Sequence, residues 1–220
     1  FSEDMDLSMN YVRQLDKVRQ EKPLLFSYRR CPYAMRARMA LISCGVDFDI
    51  FEISLKDKPK KMMEISPKGT VPVFLYKDLV LDESIDIMNW AMEQQNNNST
   101  KINPHDLEKI KSMIKINDGE FKNKLDLYKY TGNKELSLKI RYRKECEVYL
   151  KNIDERLEKQ EYLLSNKFGY LDMAIFPFIR QFFHVDPKWL EEAAYINLKK
   201  WLEIISISDL FTQIMKKPTI

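Results

Sequence analysis

Apolar and polar residues alternate at strand spacing only in the first part of this chain. Beyond residue 104 apolar residues recur at helical spacing instead. A segment of period two and one of period 3.6 bury their apolar faces in different ways, so two differently built parts are expected. In the first part, Leu24–Tyr28 reads as a strand, Tyr33–Cys44 as a helix stopped by Gly45, and Phe48–Ile53 as a second strand suited to a parallel crossover. Lys58–Ile65 reads as a short helix. Val71–Leu75 and Leu79–Leu81 read as strands joined at Lys77-Asp78, and Ser84 is placed to cap a helix through Trp90 and Met92. The expected order is β-α-β-α-β-β-α.

A polar tract, Gln94 to Thr100, follows without an apolar anchor and reads as a linker. The second part carries sets such as Ile110 and Ile114, or Cys146, Leu150, Ile153 and Leu157, which predict five or six helices. Residues 1–22 place Leu7, Tyr11, Leu15 and Val18 on one face of a short amphipathic helix. The expected organisation is an N-terminal helical extension over 1–22, an α/β domain over 23–94, a linker over 95–103 and an all-helical domain over 104–220.

Composition excludes several functions. A net charge of +3 with both signs dispersed does not indicate bulk binding to nucleic acid or a membrane surface. No apolar run approaches the ~20 residues needed to span a bilayer, and no secretory apolar core is present. Three cysteines, Cys31, Cys44 and Cys146, are not a disulfide framework. Along one helix Cys31 and Cys44 would lie roughly 20 Å apart, beyond disulfide reach. His105 and His184 are too few and too scattered for a metal site. A reducing cytoplasm fits this cysteine usage.

Cys31 is the candidate nucleophile. It follows a strand and opens a helix at Cys31-Pro32-Tyr33-Ala34. The first amides of a helix are unpaired and partly positive, which favours a thiolate placed on them. Arg29, Arg30, Arg36 and Arg38 lie within seven residues and act in the same direction; each taken alone reads equally well as a solvated surface charge. Cys44 and Cys146 sit in apolar helical patterns and read as core. His184 reads as a packing or surface histidine.

Several motifs together resemble the glutathione transferase superfamily. Gly69-Thr70-Val71-Pro72-Val73 is similar to its Gly-x-Val-Pro segment with a cis proline, and Leu81-Asp82-Glu83-Ser84 to its Glu-Ser pair. Cys31-Pro32-Tyr33-Ala34 and Ser54 to Pro59 resemble the omega class and related bacterial cysteine-type, glutaredoxin-like members. Phe168 to Asp172 resembles the superfamily's capping box, with Gly169 at the usual Ser or Thr position. The resemblance covers about residues 23–217 and implies a thioredoxin-like domain followed by a helical bundle. It implies glutathione as co-substrate and no metal. The γ-glutamyl end would lie at Glu83 and Ser84, and the cysteinyl backbone on Val71 beside Pro72. The glycine end would lie near Lys58, with Leu55 and Tyr33 lining the site. Dimers are the family habit, so a homodimer is implied, although no interface patch is legible.

Ala34 stands where a Cys-x-x-Cys motif would place its second thiol. The expectation is therefore a thiol transferase or reductase that works through a mixed disulfide on Cys31, with a small-molecule or protein thiol or disulfide as acceptor. Two alternatives remain: conjugation of glutathione to electrophiles, and a non-catalytic binding protein on the same scaffold.

Overall fold

The computed structural model describes residues 9–15, 21–94 and 102–217. The chain divides into two compact units, Phe1–Ser99 with Ser208–Ile220, and Thr100–Ile207. The linker expected over 95–103 falls mostly outside the described residues.

The first unit is a five-stranded mixed sheet in the order β1-β3-β2-β4-β5, from β1 (Met9–Tyr11), β2 (Leu24–Ser27), β3 (Phe48–Glu52), β4 (Val73–Tyr76) and β5 (Leu79–Leu81). Helices α1 (Pro32–Ser43), α2 (Lys60–Ile65) and α3 (Ser84–Glu93) connect or follow the strands. β2 and β3 pair in parallel across the α1 crossover, and β4 runs antiparallel to β2. One core under the sheet gathers Leu24, Phe26, Ile53, Met62 and Val73.

The helix expected over 1–22 is corrected where the chain is described: residues 9–11 form a strand, not a helix. β1 pairs in parallel with β3, Met9 opposite Phe48, and the Val12 amide continues the ladder to the Ile50 carbonyl at 3.0 Å. The edge of β3 offers unpaired backbone groups, and pairing satisfies them where a helix this short would gain little. Leu7 and Val18 lie outside the described residues. Leu15 of the expected apolar set packs on the core cluster, and so does Val12, which lay outside that set.

The second unit is helical: α4 (Leu107–Ile116), a π-helical turn at Asn117–Phe121, α5 (Lys122–Tyr130), α6 (Leu136–Leu157), α7 (Tyr170–Phe183), α8 (Pro187–Glu192) and α9 (Ile196–Ser206). α7 is buried on nearly every side, as its run of Met173, Ala174, Ile175, Phe176, Phe178 and Ile179 requires. Its first turn holds Asp172, 1% exposed. One carboxylate oxygen accepts from the Gly169 amide at 3.0 Å; the other accepts from the Leu163 amide at 3.0 Å and the Trp201 indole at 2.8 Å. Glycine has no side chain to give the reciprocal bond, so Asp172 carries this cap alone.

The last helix, α10 (Asp209–Ile214), is capped by Ser208 and packs on α1. It belongs with the first unit, a correction to the helical domain expected over 104–220. Periodicity shows that Phe211 and Ile214 need cover; it does not show which neighbour supplies it. The Tyr11 hydroxyl donates to the Lys216 carbonyl at 2.8 Å and joins β1 to this C-terminal segment.

Candidate active site

Register builds the site. Phe26 lies opposite Val73, so the turn that leaves β2 comes beside the residues that lead into β4. Cys31 ends that turn as the residue capping α1, and Pro32 takes the first helical position, where no amide hydrogen is needed. The Cys31 amide donates to the Tyr28 carbonyl at 2.9 Å, and its carbonyl accepts from the Met35 amide at 2.8 Å. The thiol does not cap the helix. Cys31 Sγ faces the Val71 carbonyl at 3.7 Å, and the Val71–Pro72 peptide is cis. Cys31 and Val71 are both half-buried.

The arginines divide. Arg30 is exposed and donates to the Tyr28 hydroxyl at 2.9 Å, and Arg29 is half-buried. Arg36 and Arg38 are 2% and 0% exposed, so neither is a solvated charge. Arg36 lies 5.1 Å from the Tyr33 ring centroid and its Nε donates to Ser84 Oγ at 2.9 Å. Ser84 is the first residue of α3 and not its cap, a correction to the sequence reading; Glu83 holds the cap position without a side-chain bond. The hydroxyl of Ser84 is thus turned to α1.

Arg38 reaches back along α1. Its Nη1 donates to Ser27 Oγ at 2.9 Å and its Nη2 to the Arg29 carbonyl at 2.6 Å. The Arg29 amide donates to Glu52 Oε1 at 2.6 Å. Burial lowers the Arg38 pKa, opposed by Glu52 and then by Tyr11 and Cys31. Burial likewise raises the Glu52 carboxyl, opposed by the Arg29 amide and the Arg38 charge.

Glu83 is exposed and pairs with Lys68 at 2.6 Å. Lys68 also meets Asp82 at 3.2 Å, and Ser66 Oγ donates to Asp82 at 2.8 Å. The Ser66 bond, and then Lys68, hold the Asp82 carboxyl below its usual range. Gly69 takes a positive φ of 62°, and a side chain there would meet Met63 at 3.0 Å and Lys58 Nζ at 3.4 Å. Lys58 therefore leans over the loop before Val71. Leu55 is 54% exposed. The structure brings together Cys31 with Val71, Tyr33 with Arg36 and Ser84, and Lys58 with Gly69.

The other thiols are withdrawn from chemistry. Burial pushes Cys44 up to about 11, and pushes Cys146 up to about 12 with help from Glu145. His184 is lowered by burial and by Arg180, and its Nδ1 lies 2.9 Å from the Arg180 carbonyl. Among the described residues no cluster of three or more His, Cys, Asp or Glu could hold a metal ion, and no helix is long and apolar enough to cross a membrane.

Sequence reasoning missed the buried placement of Arg36 and Arg38, and missed Glu52 and Lys68 altogether. A signal was present for the first two. From Ala34 to Ile42 the helix is apolar except for the two arginines. A helix with no other polar residue has no solvent face to put them on.

Residues 25–99 match the glutathione S-transferase N-terminal domain, and residues 100–209 match the glutathione S-transferase C-terminal domain. The chain belongs to the glutathione S-transferase family. A probable glutathione transferase of Aplysia californica is 37% identical over 57 residues, which is 26% of this chain and 62% of that protein. The match spans less than two thirds of that relative. Glutathione S-transferase omega-1 of Mus musculus is 41% identical over 49 residues, 22% of this chain and 20% of its own. Among solved structures, glutathione transferase Omega 3C of Trametes versicolor superposes with a TM-score of 0.77 at 17% identity, over 90% of each chain. A glutathione transferase of Pseudomonas putida, solved with one glutathione disulfide per subunit, superposes with a TM-score of 0.76 at 17% identity, over 90% of this chain and 93% of its own. At these identities the likeness is one of fold: a mixed α/β sheet domain and a helical domain, as in the transferase family.

Proposed function

We propose that this glutathione S-transferase binds glutathione along the Cys31, Val71 and Ser84 edge of its first unit and transfers thiols through Cys31. One observation carries the reading: Cys31 Sγ sits at the head of α1, facing the Val71 carbonyl beside cis-Pro72. A peptide thiol whose backbone paired with Val71 would present its sulfur to Cys31. Family membership and the glutathione disulfide bound by the Pseudomonas putida relative support the choice of ligand. The omega-1 match and the Cys-Pro-Tyr-Ala segment support the cysteine-type assignment.

In this reading Glu83, beside Lys68, takes the ligand ammonium, and Ser84 with the start of α3 takes the γ-glutamyl carboxylate. Lys58 takes the glycine carboxylate; Tyr33, Leu55 and Pro72 border the ligand. Cys31 thiolate attacks the glutathione sulfur of a glutathionylated substrate. The sulfur–sulfur bond breaks, and the substrate thiolate leaves and takes up a proton. A second glutathione thiolate attacks Cys31–S–SG, forms oxidised glutathione and restores the Cys31 thiolate. The sum converts one mixed disulfide and one glutathione into one substrate thiol and one oxidised glutathione.

A second reading is conjugation of glutathione to electrophiles. The transferase names of the relatives and of the family favour it. It makes Cys31 a neighbour of the glutathione sulfur instead of its partner. Intact mass after mixing with oxidised glutathione separates the two. Thiol transfer requires one glutathione adduct, mapped to Cys31 and reversed by reduced glutathione. An unmodified chain that still conjugates glutathione to an aryl halide supports the second reading.

A further inference from the structure

We propose that Arg38, opposed by Glu52, is a positioning residue that holds the Cys31 turn by both backbone groups of Arg29. The inference rests on Cys31 as the reacting thiol. Arg29 stands two residues before Cys31. Its carbonyl accepts from Arg38 Nη2 at 2.6 Å and its amide donates to Glu52 Oε1 at 2.6 Å. One peptide on each side of this residue is therefore held by a charged side chain, the buried Arg38 on one side and the half-buried Glu52 on the other. The next bond along, Cys31 amide to Tyr28 carbonyl at 2.9 Å, closes the turn.

The geometry follows from where Arg38 begins. It lies seven residues after Cys31, about 10 Å along the helix axis. Side chains of a helix lean toward its N-terminus, so a fully extended arginine from this position reaches the turn. The planar fork donates to Ser27 Oγ and the Arg29 carbonyl from two separate nitrogens held at a fixed angle, a geometry that the single nitrogen of an ammonium does not reproduce. Arg38 Nε and Glu52 Oε2 are buried without a hydrogen-bond partner among the described residues. Leaving these two polar atoms buried and unbonded is costly. The return is a fixed turn.

The charges around Arg38 come from three elements. Glu52 ends β3, Tyr11 ends β1, and Arg29 and Cys31 belong to the turn itself. Arg38 favours a thiolate at Cys31, and Glu52 partly neutralises the Arg38 charge. Removing one or the other should move the thiol in opposite directions, which a packing role would not do.

The test reads the pH dependence of Cys31 alkylation by iodoacetamide in the full chain, followed by peptide mass spectrometry. The alkylation readout needs no glutathione and is independent of which reaction the site performs; the Arg38→Lys rate below rests on thiol transfer. Arg38→Met should raise the midpoint by about one pH unit, and Glu52→Gln, which keeps an acceptor for the Arg29 amide, should lower it. Arg38→Lys should leave the midpoint near wild type yet lose about tenfold in thiol-transfer rate. If Arg38→Met does not fold, Glu52→Gln and Arg38→Lys decide. A Glu52→Gln midpoint that rises or stays fixed, or an Arg38→Lys chain with full transfer rate, overturns the proposal. Opposed shifts in Arg38→Met and Glu52→Gln, together with a wild type that transfers no thiol, uphold the charge arrangement and remove the proposed reaction.

Discussion

Arg36 Nε stands 2.9 Å from Ser84 Oγ and ties the middle of α1 to the first residue of α3, with both side chains 2% exposed. The two helices that frame the proposed ligand site are joined by a charged donor and a neutral acceptor. A hydroxyl can accept this bond and still donate its own hydrogen. Ser84 therefore keeps a donor for a bound carboxylate while Arg36 fixes its position.

Ser84→Ala removes the acceptor and leaves a buried guanidinium nitrogen with one partner fewer. The expected loss is about 1–3 kcal/mol of folding stability. Urea unfolding followed by tryptophan fluorescence should show a lower midpoint with an unchanged slope. An unchanged midpoint would mean that water or another acceptor replaces the hydroxyl without cost.

Glutathione affinity should depend on the two ends of the proposed site. Lys58→Ala and Glu83→Ala each remove one charged contact, worth ~1.5–3 kcal/mol or roughly 10–100-fold in Kd. Both side chains are exposed, so the lower end of that range is expected. Calorimetric titration with glutathione measures it. Equal affinity in both variants would move the ligand away from this edge.

The three thiols should separate by reactivity at neutral pH. Burial pushes Cys44 up to about 11 and Cys146 up to about 12, so both remain protonated there. Brief treatment with iodoacetamide at pH 7 should label Cys31 alone. Labelling of Cys44 at a comparable rate would contradict its protonated state beside Met92, whose sulfur lies 3.4 Å from its own.

Asp172 gives the helical unit a pH signature. Burial raises its carboxyl to about 6, against the opposing bonds from Leu163, Trp201 and Gly169. The folded state therefore binds a proton between about 6 and the ordinary 3.8, while the unfolded chain does not. A state that holds the extra proton is favoured as pH falls, so this group adds stability on going from pH 7 toward pH 4. The stability of wild type minus that of Asp172→Asn should grow between pH 7.5 and pH 5. A difference that shrinks would show that the three donated bonds outweigh burial and hold the carboxylate ionised.

The strand and helix order of residues 23–94 was legible because each apolar run has one period and a clear stop, such as Gly45 after the first helix. The pairing of Val71 with Cys31 was legible only through the resemblance, since forty residues separate them and no local pattern relates them. Residues 9–11 were misread because three to four apolar positions over so short a segment fit either period. The edge of β3 decides the outcome, and that edge exists only once the sheet has formed. Glu52, and the partners of Arg38, were missed for a related reason. A charge is read as exposed unless its partner is known, and here each partner lies on a different strand, turn or helix. Lys68 follows a proline in a polar stretch and carries no signal at all; its role comes from the turn that sets it beside Asp82 and Glu83.

The central claim is that Cys31 itself carries the transferred thiol. The most direct measurement is a paired assay of wild type and Cys31→Ser: glutathione-dependent reduction of a mixed disulfide, and conjugation of glutathione to an aryl halide. Serine keeps a hydroxyl that can donate to a glutathione thiolate but cannot form a disulfide. The account predicts that disulfide reduction falls to background in Cys31→Ser, with conjugation retained or raised. Full disulfide reduction by a folded Cys31→Ser chain would contradict it and leave glutathione alone to do the chemistry.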